Sequence, residues 1–388
     1  MKDKVWKAVS IAIILIFACS TFATVHATAT QLATPPSIHI GTGVPNFLAY
    51  DSGKGEIFVS DSVSAVYVIS DSTNTIVATI SSITYPCGLA YDSGKGEVFV
   101  HAETGTVAVI SDSTNSVVAN ITVGTPGSLP LSESCLAYDS GKGEIFVANP
   151  DSNTVSVISD STNAVVATIN VGTGPLDLAY DSGKGEIFVA NQGSSSVSVI
   201  SDSNNQVVAT ITSSISGPEG VAYDPAKGEI FVSDYPAASF SVIADKNNAV
   251  TTLGLGTAGA VEGIGNPHNM GFDTGTGQAF VNCNDAAVNI ISDKNNAVVA
   301  SFAPPNSENG PVSGFAYDSG KGEMFIGGGG NEVVYYLSDS SSPSASSTPS
   351  PSSTIPEFGN AALIMVVTAM VAATFAVAIK VRKRKQLR

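Results

Sequence analysis

The chain has 388 residues, room for two or three ordinary domains or for one large repeat domain. Charged residues are 13% of it, about half the usual share of roughly 25%, while 43% are hydrophobic. That balance, with a net charge of −16, excludes a long coiled coil, a basic nucleic-acid-binding arm and a charged disordered chain.

At the N-terminus, Lys2, Lys4 and Lys7 precede a short apolar run, Ala8–Ala18, and Ala27-Thr28-Ala29 fits the small-x-small cleavage rule. Residues 1–29 therefore read as a secretory signal, with an uncleaved anchor as the alternative. Phe17 is too bulky for a lipoprotein box, so Cys19 is assigned to the signal.

From residue 30 to residue 339 the chain is a repeat. One unit reads LAYDSGKGEIFVAN, then VSVISDSTNAVVATI, then VGTG. The anchor aromatics Tyr50, Tyr91, Tyr138, Tyr180, Tyr223, Phe272 and Tyr317 mark seven copies, and a period of this size means a propeller or a solenoid. Each copy parses into four short strands; in the fourth they are Leu178–Asp181, Glu186–Ala190, Val197–Ser201 and Gln206–Thr212. Gly-, Asn- and Asp-rich turns between them require antiparallel neighbours. Runs such as Ile187-Phe188-Val189 are apolar on both faces, as in a sheet packed between two others. The seventh copy lacks its last strand, and Ser37–Gly43 before the first copy aligns with Thr168–Gly174. The predicted fold is all-β: a seven-bladed β-propeller whose last blade is closed by the N-terminal strand, which leaves no open seam.

These units resemble the YVTN-family β-propeller repeats of archaeal and bacterial surface proteins. The tetrad appears as FVSD, FVHA, FVAN, FVAN, FVSD, FVNC and FIGG, beginning at Phe58, Phe99, Phe146, Phe188, Phe231, Phe280 and Phe325. Phe stands for Tyr throughout, and two copies keep the closing Asn. The resemblance covers residues 37–339 and implies the fold strongly and function weakly.

Antiparallel blades put the Ser-Gly-Lys-Gly turns on one side of the ring. The opposite side varies from blade to blade and carries the long links Thr125–Ser134, Gly254–Asn266 and Ala303–Gly310. Variable loops on a rigid scaffold point to that face for binding, with drift in unconstrained loops as the alternative. Asp177, Glu219 and His268 stand three or four residues before their anchor aromatics on three consecutive blades. Two carboxylates and an imidazole there are a candidate divalent-metal set at the channel rim, or else a solvated polar ring. Cys87 and Cys135 occupy near-equivalent places on adjacent blades. A disulfide between them is an open question, since neighbouring inner strands are expected to be widely spaced. Cys283 reads as a buried thiol. Asn120-Ile121-Thr122 is a glycosylation sequon, expected on an exposed link. No GxSxG, HExxH, CxxCH or Walker motif occurs. Gly254–Gly259 matches GxGxxG without a following helix and aligns with an interblade turn.

Residues 340–357 are rich in Ser, Thr and Pro and read as an extended stalk, open to O-glycosylation. Within 358–388, Ala361–Ile379 is uncharged over a span-length stretch and Lys380–Arg388 is basic, which predicts one transmembrane helix with its tail inside. Pro356-Glu357-Phe358-Gly359 immediately before that helix resembles a PEFG-CTERM sorting signal. The resemblance implies processing by an archaeosortase and transfer to another anchor; a plain single-pass anchor is the alternative.

Between signal and basic tail the chain has eight lysines, no arginine and 32 acidic residues, a net charge of −24. Nucleic acid and phosphorylated partners are disfavoured. The sequence thus points to a monomeric, non-enzymatic cell-surface propeller that binds a surface protein or glycan, or that serves the envelope structurally. The alternative is an extracellular, metal-dependent, lactonase-like hydrolase with its site at the channel mouth.

Overall fold

Each repeat folds into four antiparallel strands because its two polar clusters are turns of fixed hand. The Ser-Gly-Lys-Gly turn ends on a glycine at φ between +63° and +70° in all seven copies, from Gly55 to Gly322. A side chain there would also begin 2.5 Å from the Asp71 carboxylate in the first blade, so the position admits only glycine. The second hairpin turn places an Asn at φ +50° to +57°: Asn74, Asn115, Asn163, Asn205, Asn248 and Asn296. Asn tolerates that left-handed conformation better than other side chains do.

The computed structural model describes residues 30–41, 43–102, 105–124, 136–235, 237, 239–254, 267–283, 287–303, 314–328, 330 and 332–339. They form seven antiparallel blades, as expected. The fourth runs from Pro175–Asp181 on the inside through Glu186–Asn191 and Ser196–Ser201 to Gln206–Ile211 on the outside. Second strands sit between neighbouring blades, and their phenylalanines Phe58, Phe99, Phe146, Phe188, Phe231, Phe280 and Phe325 are fully buried. Burial on both faces explains the unbroken apolar runs.

The ring closes as expected. Strand β2, Ser37–His39, pairs antiparallel with Val333–Ser338 and supplies the outer strand of the seventh blade. Ile38 and Ile40 pack with Ile57 and Val59 of the first blade and Phe325 and Val334 of the seventh. One strand was not anticipated. β1, Thr30–Gln31, runs parallel to the outer strand of the sixth blade, pairing with Ala300 and Ser301, and Leu32 donates its amide to the Ser301 carbonyl at 2.8 Å. Two residues hold no periodicity to read.

The repeated Lys and Asp of the turns tie each blade to the next. Lys54, Lys95, Lys142, Lys184, Lys227 and Lys321 donate to the carbonyls of Asp112, Asp160, Asp202, Asp245, Asp293 and Asp71 on the following blade. Thr276 stands where the sixth blade lacks its lysine; within the seventh blade Tyr317 donates its hydroxyl to Asp339 at 2.9 Å. In each turn a buried Asp accepts two backbone amides, as Asp139 does from Gly141 (2.8 Å) and Lys142 (3.2 Å). The anchor tyrosine of the next blade rests against it. Burial, then a hydrogen bond to Asp181, pushes the Tyr223 phenol up to about 12, and Tyr50, Tyr91, Tyr138 and Tyr180 shift upward for the same two reasons.

The expected signal, stalk and transmembrane segments lie outside the described residues. Among those described, no helix is long and apolar enough to cross a membrane, and the one helical turn is a 3-10 turn at Gln192–Ser194.

Candidate functional site

The inner strands carry a feature that the anchor spacing did not reveal. In five blades the pairing of first and second strands slips by one residue at the varied rim. The two extra-loop positions are 46–47, 87–88, 176–177, 219–220 and 268–269, each pair opposite a single residue. Such bulges redirect side chains at barrel rims. They explain how Asp177, three residues before its anchor, shares a rim with Glu219 and His268, four residues before theirs.

In the first and fifth blades the tetrad's third residue, a serine, pins the bulge. Ser60 accepts the Phe47 amide at 3.1 Å and donates to the Cys87 carbonyl of the next blade at 2.8 Å. Ser233 repeats this with the Gly220 amide (2.7 Å) and the His268 carbonyl. The tetrad's last residue caps the neighbouring loop: Asp61 accepts the amides of Val63, Ser64 and Ala65 within 2.7–2.9 Å. Asn149 and Asn191 bond Ser156 and Ser198, each at 3.0 Å. Burial raises Asp234, which accepts from Ser241 at 2.7 Å. The tetrad is thus a structural device for the rim.

Of the three expected rim residues, two meet. The Nδ1 of His268 contacts the carboxylate of Glu219, which is 2% exposed, and Gln192 donates to its other oxygen. Tyr235 lies against the imidazole with ring centroids 5.1 Å apart. Gly220 makes the approach possible, because a side chain on it would start 2.5 Å from the His268 carbonyl and 2.8 Å from the Met270 amide. Asp177 is committed elsewhere. Buried, it accepts the amides of Leu178 and of Val221 on the next blade, both at 2.9 Å, so it positions the bulge that carries Glu219. Among the described residues no group of three or more His, Cys, Asp or Glu side chains is arranged to hold a metal ion. Gln192 and Tyr235 stand at equivalent places, each 12 residues after its anchor tyrosine and directly past the tetrad; the sequence put Tyr235 on the varied face without a partner and did not single out Gln192.

On the second blade, the Cys87 sulfur lies 3.2 Å from His101 Nδ1, and both residues are buried. Cys135 lies outside the described residues, as do most of the three long links. Cys283 is buried as expected and accepts from Asn289 at 3.4 Å. Asn120 is exposed, yet it belongs to the outer strand Ser116–Thr122 rather than to a link. The pleat turns Asn120 and Thr122 outward and Ile121 inward.

No family model matches the chain, and no curated protein matches it. Among solved structures it is similar to a chain of "Kuenenia stuttgartiensis Hydrazine Synthase", with a TM-score of 0.64 and 14% identity over 82% of this chain and 100% of that one. At that identity the likeness is one of fold alone.

Proposed function

We propose that this chain is a non-enzymatic, cell-surface β-propeller that binds a surface glycan or protein through its varied rim. One observation carries the reading. Gln192, Glu219 with Tyr235, and His268 come from three consecutive blades and converge on one buried carboxylate. A fixed carboxylate, an amide and an aromatic ring at the mouth of a rigid channel suit a hydroxyl-rich ligand. The secretory signal, the stalk at 340–357 and the tail resembling PEFG-CTERM support display outside the membrane, and the YVTN-like tetrads support a surface-protein family. Sedimentation with isolated envelopes tests this. Tyr235→Ala and His268→Gln, which keeps a donor for Glu219, should each lower the bound fraction about tenfold. Equal binding by both variants would refute the rim as the binding site.

A second reading, a lactonase-like hydrolase using a divalent metal, is favoured by the His268–Glu219 contact, since a carboxylate-oriented imidazole is a common component of metal sites. Asp177 speaks against it, because both its oxygens are engaged by backbone amides. One stoichiometric divalent ion in the purified protein would favour this second reading over the first.

A further inference from the structure

At the end opposite the varied rim, an open cavity of about 480 Å³ lies against the inner strands of the seventh, first, second and third blades. Tyr50, Tyr91, Tyr138, Tyr317 and Phe315 contribute to its wall, with Ser52, Ser93 and Ser319 at the turn end. Its remaining lining is Leu and Ala, so no cationic side chain reaches it. The tyrosine hydroxyls are held at the turn of the preceding blade. A side chain on Gly53, Gly94 or Gly320 would begin 2.8, 3.0 or 2.8 Å from the hydroxyl of Tyr91, Tyr138 or Tyr50. The acceptors behind them are Asp51, Asp92 and Asp318, all fully buried. With its hydroxyl fixed in this way, each phenol has only the body of its ring to offer the cavity. A phenol that donates to a carboxylate has an electron-rich ring, and the surrounding chain carries −24.

We propose that this cavity binds a small organic cation of the quaternary-ammonium class, held over the tyrosine rings. Ring faces attract a weakly hydrated cation through their quadrupole, and several rings around one cavity are the arrangement that such cations require. A hydrated divalent ion would instead demand a shell of oxygen ligands, which serine hydroxyls and ring carbons do not supply. This site lies on the face opposite Glu219 and His268 and is independent of the function proposed for them.

The test is titration of the purified full-length chain with choline and with its neutral carbon isostere, 3,3-dimethylbutan-1-ol, followed by tyrosine difference absorbance. Choline should bind about tenfold more tightly than the isostere, because the two share shape and differ in charge. Tyr91→Leu should weaken choline about fivefold or more, whereas Tyr91→Phe, which keeps the ring, should stay within about threefold of the parent. His268→Gln should leave the titration unchanged. Equal affinity for choline and isostere, no spectral response to either, or loss of binding in Tyr91→Phe would overturn the proposal.

Discussion

The hydroxyl of Tyr180 lies 2.8 Å from the point where a side chain on Gly141 would begin. Adding that one methyl group must displace the phenol from Asp139, the acceptor of the preceding blade. Gly141→Ala should therefore cost about 1–3 kcal/mol. In combination with Tyr180→Phe the costs should not add, because the second change removes the atom that the first one strikes. Additive costs in a double-mutant cycle by denaturant melting would separate the two groups. At this scale the sequence was only partly legible. The recurrence of Asp, Gly and Tyr was visible, but not that the tyrosine of one repeat closes on the turn of another. Glu219 and His268 were found by counting back from the anchors. Asp177 was found by the same count and proved to serve the backbone, because a bulge, which no residue type announces, decides where each side chain points. Ser60 and Ser233 had a signal, the FVSD variant of the tetrad, whose meaning depends on that bulge.

Strand β2 is short and makes up for it in packing: Ile40 is 1% exposed and Ile38 8%. Removing the Ile40 side chain should cost about 2–4 kcal/mol, and deleting residues 37–40 should cost more, since it also opens the edge of the seventh blade. Deleting 30–32 should matter much less, because Thr30 and Gln31 are both exposed. Equal denaturation midpoints for the parent and the 37–40 deletion would mean that the ring closes without this strand. The split blade was readable because Ser37–Gly43 repeats a pattern seen elsewhere in the chain. β1 was not readable: its position depends on a backbone edge left open by the sixth blade.

For the whole molecule, the acidic turns set the response to pH. Glu56, Glu97, Glu144, Glu186, Glu229 and Glu323 are all raised above the ordinary glutamate value, first by burial. Asp71, Asp112, Asp160 and Asp202 are raised for the same leading reason. A carboxyl whose folded value lies above its unfolded one binds more protons when folded. Its contribution to stability is complete below the ordinary carboxylate range and is lost as pH rises through the raised value. The melting temperature should therefore rise from about pH 7 to about pH 5, and Glu97→Gln with Glu186→Gln should flatten the profile. Gln278 shows that the sixth blade already accepts the neutral side chain, buried at 2% exposure. A melting temperature that falls steadily over this interval would contradict the assignment.

The two ends of the ring differ in what their side chains do. At one end Lys and Asp are spent on joining blades; at the other, three blades bring Gln192, Glu219, Tyr235 and His268 to one point. Hydrogen-exchange mapping of the full chain, alone and with isolated envelopes, reads that division directly. Protection should appear around residues 192, 219–220, 235 and 268–270, with the Ser-Gly-Lys-Gly turns unchanged. Protection confined to those turns, with the rim exchanging as before, would place the binding surface on the wrong side of the propeller.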